Sequence, residues 1–438
     1  MNIRKEAYNI ITTVLSKQLF SDKLLDKMAK RLRSAGENAD LLYFLVKGVI
    51  KMEKNLEYIA AQFTDKERFS KTDKKIKYLI YLGLFQLIYS DKIPDHAAVN
   101  ETVMLAKKNF NNKIGNFVNA VLRSYLRNPR IEYPADIAVR LSLEYSFPKK
   151  LIERWLEKWG DEKTEELCLY FNDVPQLHIR VNNLKISKIE LMKYFENEQI
   201  EFSESVISQN MLLSKEARKI LNCEAFTDGL FSIQDTSAAL VIELLDPQKD
   251  ESILDLFAAP GGKSTYISEL MKNSGELVAI DKYPHKMKRM KQSLKRLGIS
   301  NIQLNSIDAF QFGPVAPAFD RVLLDVPCSG WGVFQKKAEL RWQKNQDIKQ
   351  LLKLQKQALK TGAEFVKPGG YLLYSTCTLN EDENENMVQN FLDKNKNFTL
   401  VLASNNISEE FTENGFLKTL PFKDNTDGAF AAKLQKNI

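Results

Sequence analysis

Histidine and cysteine are scarce in this chain, with three and four residues in 438. Four cysteines (Cys168, Cys223, Cys328, Cys377) in so long a chain do not form a disulfide framework. Three histidines, with no close pairing of cysteines, give no zinc-ligand spacing, so no metal is expected. Long apolar runs are also missing. The longest, Tyr78 to Tyr89 with Gln86 inside it, is shorter than the roughly 18 residues a membrane span needs. The opening Met1-Asn2-Ile3-Arg4-Lys5-Glu6 leads into no signal-like apolar core. These gaps predict a reducing, cytoplasmic setting, away from membranes. What is present is 44% hydrophobic and 27% charged residues, the balance of a globular protein with two to four domains.

The net charge of +7 is unevenly spread. Residues 1–130 hold 24 Lys and Arg against 13 Asp and Glu, or +11; the remainder holds 39 against 43, or −4. A basic N-terminal third on a near-neutral body is the footprint of a polyanion-binding module. A solvated lysine-rich surface is the plainer reading, and the chemistry further along the chain decides between the two.

Helical spacing runs through the first third: Ala7, Ile10, Ile11, Val14, Leu15; Leu42, Leu45, Val46, Val49; Leu79, Leu82, Phe85, Leu87; Val99, Val103, Ala106. Pro94 breaks the chain between two of these helices, and Asn128-Pro129 closes a last one over Phe117 to Arg127. Residues 1–135 are therefore expected to form an all-α domain. Residues 136–235 mix signals. A helix is expected after Pro148, Leu177 to Val181 alternates like a strand, and Ser187 with Glu190 has the spacing of a capping box. This predicts a small α+β connector. From 236 to 438 strands and helices alternate, which predicts a parallel sheet covered on both faces. Candidate strands are Ser252–Leu256, Leu277–Ile280, Ile302–Asn305, Arg321–Leu324 and Tyr371–Tyr374. Ligands of such sheets bind at the C-terminal strand edge.

Every chemical motif falls at that edge. After the first strand comes Phe257-Ala258-Ala259-Pro260-Gly261-Gly262-Lys263, whose glycines permit close approach of backbone to a ligand. Asp281 ends the second strand, where a carboxylate can accept from both ribose hydroxyls of an adenosine cofactor. Asp308 follows the third. Each aspartate alone is equally well read as a helix N-cap, but their succession along strand ends favours a cofactor site. A phosphate-binding P-loop competes, since Gly262-Lys263-Ser264 matches its end; Phe257 occupies the place of its first glycine and would obstruct the phosphate wrap.

Cys328 lies in Pro327-Cys328-Ser329-Gly330 and Cys377 in Ser375-Thr376-Cys377-Thr378. Carbon 5 of cytosine is too weak a nucleophile to take a methyl group unaided. A thiolate adding to carbon 6 makes it one, with an acid near ring nitrogen 3, a sulfonium methyl donor and a final base. Cys328, Cys377 and Asp325 supply such groups. The mechanism alone leaves open which cysteine attacks. Cys168 and Cys223 are read as inert.

Asp325-Val326-Pro327-Cys328-Ser329-Gly330 with Ser375-Thr376-Cys377 resembles the RNA 5-methylcytosine methyltransferases. Leu82-Gly83-Leu84-Phe85-Gln86-Leu87, Pro94 to Glu101 and Phe117 to Arg123 resemble the NusB-like N-terminal domain of the RsmB type of that family. Ile179 to Asn182, Gln234 to Ala238 and Asp427 to Phe430 extend the likeness through the connector to the C-terminal strand. The resemblance implies a class I, Rossmann-like methyltransferase domain. It implies S-adenosylmethionine as cofactor, held by Phe257 to Lys263, Asp281, Asp308 and Asp325. It makes Cys377 the nucleophile and Cys328 the residue that aids elimination, with Asp325 on the base. The implied substrate is small-subunit ribosomal RNA, and a monomer is expected. Phe257 replaces a cysteine usual in the family, Ala429 replaces an aromatic, and Ala338-Glu339 stands for a usual Pro-Asp in a loop read as RNA-facing. A non-catalytic RNA-binding factor on the same scaffold would need neither cysteine nor Asp325.

Overall fold

The computed structural model describes residues 2–313, 318–343 and 347–438. By packing, the chain forms two compact units: Met1–Asp173 with Phe334–Lys344, and Val174–Val333 with Asn345–Ile438. No helix among the described residues is long and apolar enough to cross a membrane.

In the first unit the described elements are helical, from Ile3–Lys17 to Lys149–Asn172. Polar caps start them: Asn2, Asp73 and Asn111 each accept a hydrogen bond from a backbone N–H of the first turn. The apolar spacing read from sequence becomes the core, with Ile11, Leu45, Leu82 and Leu122 fully buried. Gly83 lets helix Lys74–Tyr89 meet helix Asn112–Arg127, because a Cβ there would stand 2.7 Å from Leu122. The short helix Ala338–Trp342 packs within this unit. Arg341 lies over the Phe147 ring at 3.8 Å and donates to the Phe171 carbonyl at 3.1 Å. Burial pulls its guanidinium down to about 9. Glu339 accepts from the Ser21 backbone N–H at 3.0 Å. Both side chains are buried within this unit.

The second unit opens with a four-stranded antiparallel sheet: β1 (Leu177–Val181), β2 (Ser203–Glu204), β3 (Met211–Ser214) and β4 (Phe231–Ile233), in order β2-β3-β1-β4. The Ser187–Glu190 capping box forms as the spacing predicts. Nine strands follow: β5 (Ser252–Asp255), β6 (Glu276–Ile280), β7 (Ile302–Asn305), β8 (Phe319–Asp325), β9 (Val366–Thr376), β10 (Phe398–Val401), β11 (Thr412–Glu413), β12 (Phe416–Thr419) and β13 (Ala429–Lys436). The pairs β7-β6-β5-β8-β9 are parallel, but β13 adds to β9 antiparallel, as do the short strands beyond it. The sheet is therefore mixed rather than all parallel. β11 and β12 form a hairpin, β12 returns antiparallel to β13, and β10 also pairs with β13 antiparallel.

Arg180 of β1 joins the two sheets. It is fully buried and donates to both carboxylate oxygens of Glu269 (2.7 and 3.1 Å), to the Gly262 carbonyl (2.8 Å), to Thr265 Oγ1 (3.0 Å) and to Gln234. Removing one partner of a buried pair strands the other's charge. Arg180→Ala is expected to cost about 3–5 kcal/mol in equilibrium urea unfolding, and Arg180→Met with Glu269→Leu to recover much of that. A loss below about 1 kcal/mol for Arg180→Ala would show that the pair does not hold this unit together.

Candidate active site

The loops after β5, β6, β7, β8 and β9 share one edge of the sheet, and each candidate cofactor or catalytic residue read from sequence sits there. The loop from Leu256 to Gly261 is held by Ala258 N–H on the Ile280 carbonyl (2.8 Å) and Gly261 N–H on the Ala258 carbonyl (2.8 Å). The Ala259–Pro260 peptide is cis. Gly261 has φ +103°, and a Cβ there would meet Met290 at 2.7 Å, so glycine is required for both reasons. Helix Gly262–Leu270 starts immediately after, turning its first N–H groups toward the strand edge. Phe257 is half-buried and meets Phe310 edge-on at 6.3 Å. Its ring thus serves packing against Phe310.

Two side chains of the would-be P-loop are engaged elsewhere. Ser264 is fully buried and donates to Asp255 Oδ2 at 2.6 Å. Lys263 turns its Nζ onto Asp325 Oδ2 at 2.7 Å. Neither is left for a metal-bound triphosphate. Asp255, with almost no exposure, is pushed up to about 7 by burial, against the pull of the Ser264 hydrogen bond.

Asp281 is buried and its Oδ1 accepts from Tyr283 N–H at 2.9 Å. Asp308 is half-buried and its Oδ1 accepts from Phe310 N–H at 3.0 Å. Neither is the N-cap of a helix: the helix after β6, Pro284–Leu297, is capped by Tyr283. Each aspartate instead folds its own loop, leaving a polar rim of successive carboxylates beside the Gly261 turn. Small residues at 258 and 259, the positive φ of Gly261 and the Asp281 carboxylate together suit an adenosine-type cofactor.

The two cysteines meet although 49 residues separate them. Their Sγ atoms lie 3.4 Å apart, and Cys377 N–H points to Cys328 Sγ at 3.4 Å. Both thiols are half-buried, and none of the four cysteines is in a disulfide. Parallel pairing of β8 and β9 sets Asp325 opposite Ser375, whose hydroxyl donates to Asp325 Oδ1 at 3.0 Å. Gly332 N–H donates to the Cys377 carbonyl at 3.1 Å, tying one cysteine loop to the other. The Cys328 thiol is raised well above the ordinary thiol range, by its hydrogen bond to Cys377, then by burial and the charges of Cys377 and Glu383. Lys263 is pulled down by burial, but Asp325, through charge and hydrogen bond, more than offsets this and the ammonium ends raised. Cys377 adds to that field.

Cys328, Cys377, Asp325 and Lys263 thus form one cluster. Lys263 had been grouped with the cofactor loop from its place after two glycines, and nothing local shows that its long side chain reaches the Pro-Cys loop. Gln355 and Glu383, at the back of the thiol loops, carried no sequence signal either. Cys168, by contrast, is buried in the helical unit with its thiol raised by burial, as expected of an inert residue. The basic helix Pro284–Leu297 is solvated only in part: Arg296 donates to the Phe226 and Phe231 carbonyls at 2.6 and 3.0 Å.

Three families match along the chain: the NusB family over residues 1–127, the ferredoxin-like domain of the RsmF/B-like methyltransferases over 147–220, and the 16S rRNA methyltransferases RsmB/F over 242–435. A probable ribosomal RNA small subunit methyltransferase B of Bacillus subtilis is 34% identical over 99% of both chains. A ribosomal RNA small subunit methyltransferase B of Proteus mirabilis is 30% identical over 96% of this chain and 98% of its own. A solved methyltransferase homologue from Pyrococcus horikoshii is 30% identical, covering 69% of this chain and all of that one, with a TM-score of 0.59.

Proposed function

Because the chain belongs to the RsmB/F family of 16S rRNA methyltransferases, we propose that it methylates carbon 5 of a cytosine in small-subunit ribosomal RNA, through a covalent adduct of Cys377 to carbon 6. The observation that carries this reading is the cluster itself: two thiols 3.4 Å apart beside an ammonium–carboxylate pair, at the edge that also holds a cofactor-type loop. A binding module has no use for that arrangement.

Phe257, Ala258, Ala259, Pro260, Gly261, Gly262 and Lys263, with Asp281, Asp308 and Asp325, would hold S-adenosylmethionine. When bound, it supplies an electrophilic methyl group. The chain's own residues do the rest. Cys377 as thiolate adds to carbon 6, and the ring's electron pair moves toward carbon 5 and nitrogen 3. Asp325, whose Oδ2 accepts from the Lys263 ammonium at 2.7 Å, would contact the base at nitrogen 3, where charge builds. After methylation the carbon 5 proton leaves to a base, the carbon 6–sulfur bond breaks, and Cys328 exchanges a proton with the departing Cys377. The base must leave its stack to reach these groups. The basic residues of 1–135 would grip phosphate, with affinity that falls as salt rises.

The test is tritium release. Small-subunit RNA carrying 5-tritiated cytidine, from cells lacking the gene, is incubated with the protein and S-adenosylmethionine. One tritium released to water per methyl transferred is expected. Transfer without release would place the methyl on another atom, and no transfer at all would sink the reading.

A further inference from the structure

Behind the two thiols lies a carboxylate that no step above uses. Glu383 ends the short turn Glu381–Glu383 and is fully buried. Its oxygens accept four hydrogen bonds, the number of sites a carboxylate offers. Oε2 accepts from the Ser329 backbone N–H and from Gln355 Nε2, each at 2.9 Å. Oε1 accepts from Asn380 Nδ2 at 3.0 Å and from the Ser329 hydroxyl.

These donors flank both cysteines. Ser329 follows Cys328, and its hydroxyl also meets Thr378 Oγ1, next after Cys377, at 2.6 Å. Gln355 Nε2 also donates to the carbonyl of Pro327, the residue before Cys328, at 3.0 Å. Asn380 N–H donates to Thr378 Oγ1 at 3.3 Å. The turn itself is fixed by the Tyr374 hydroxyl, which donates to the Glu383 carbonyl at 2.7 Å. A buried carboxylate saturated by neutral donors is a costly way to fill space that an apolar side chain would fill more cheaply. What it provides instead is one rigid point to which two loops, far apart in sequence, are both attached.

We infer that Glu383 is a positioning residue for the covalent step: it locks the Pro-Cys and Thr-Cys loops together, holding the two Sγ atoms at 3.4 Å and Cys377 in its attacking pose. The inference rests on the proposed thiol reaction. Glu383 touches no reacting atom. Its effect travels through Ser329 and Thr378, the neighbours of the two thiols.

The test compares the rate of covalent RNA adduct formation in Cys328→Ala, Cys328→Ala/Glu383→Gln and Cys328→Ala/Ser329→Ala, with S-adenosylmethionine affinity measured for each. Glutamine keeps the shape but turns an NH2 toward groups that are all donors. The adduct should form in Cys328→Ala and form about 100-fold more slowly with Glu383→Gln, since small misplacements of a reacting group cost rates of that order. Ser329→Ala, which removes only the hydroxyl bridge, should slow it about tenfold, while cofactor affinity moves less than about threefold in either variant. A merely structural role would lower affinity and melting temperature along with the rate. Adduct formation within about threefold of Cys328→Ala in both double variants overturns the inference. If Glu383→Gln does not fold, the Ser329→Ala arm decides. No adduct in Cys328→Ala itself overturns the thiol reading, and the inference with it.

Discussion

Cys328→Ala is expected to accumulate a covalent RNA–protein adduct in cells, and Cys377→Ala to form none. Both variants should lose methyl transfer, by about 10⁴-fold or more for Cys377→Ala, because removal of a nucleophile leaves only binding and electrostatic assistance. The two losses have different origins. Without Cys377 the ring is never activated. Without Cys328, attack and methylation proceed, but the partner 3.4 Å from the bonded sulfur is gone and release stalls. Denaturing gels should show a slow band that ribonuclease collapses, in Cys328→Ala and not in the double variant. A band in Cys377→Ala alone would exchange the roles. Absence of a band in every variant would remove the thiol mechanism and favour the binding-factor reading.

Asp325→Asn and Lys263→Met should each lower the transfer rate by about 10²–10⁴-fold, the range for loss of positioned proton transfer. Combined, they should cost little more than either alone, because the two groups act as one hydrogen-bonded pair at 2.7 Å. The pH profile supplies a second reading. With Asp325 present, the Lys263 ammonium is raised; without it, burial is the leading influence and acts downward. The alkaline limb of the rate profile should therefore move to lower pH in Asp325→Asn. Rates near wild type with weakened S-adenosylmethionine binding would instead make Asp325 a cofactor residue only.

Much of this site was legible without coordinates. Glycine after proline, aspartates at successive strand ends and two cysteines in distinct loops are local signals, set by backbone sterics and strand period. The helical domain was legible for the same reason: apolar residues at helical spacing and polar caps act within a few residues. The connector strand Leu177–Val181 and its capping box were equally local. Other features were not. The antiparallel β13 at one side of β9 depends on which edge a late strand meets, not on its own pattern. Burial of Glu339 against Ser21 joins residues 318 positions apart. Lys263 reached Asp325 across 62 residues, and Glu383 gathered Ser329, Gln355 and Asn380 around one carboxylate. Residue types and their spacing therefore pointed to the proposed chemistry and to the secondary structure, the latter because it follows from short-range sterics and periodicity. The pairing of proton carriers and the support behind the thiols came from the fold. A hydrogen bond forms within about 3 Å, and distance in space between far-separated residues is a property that chain order alone does not contain.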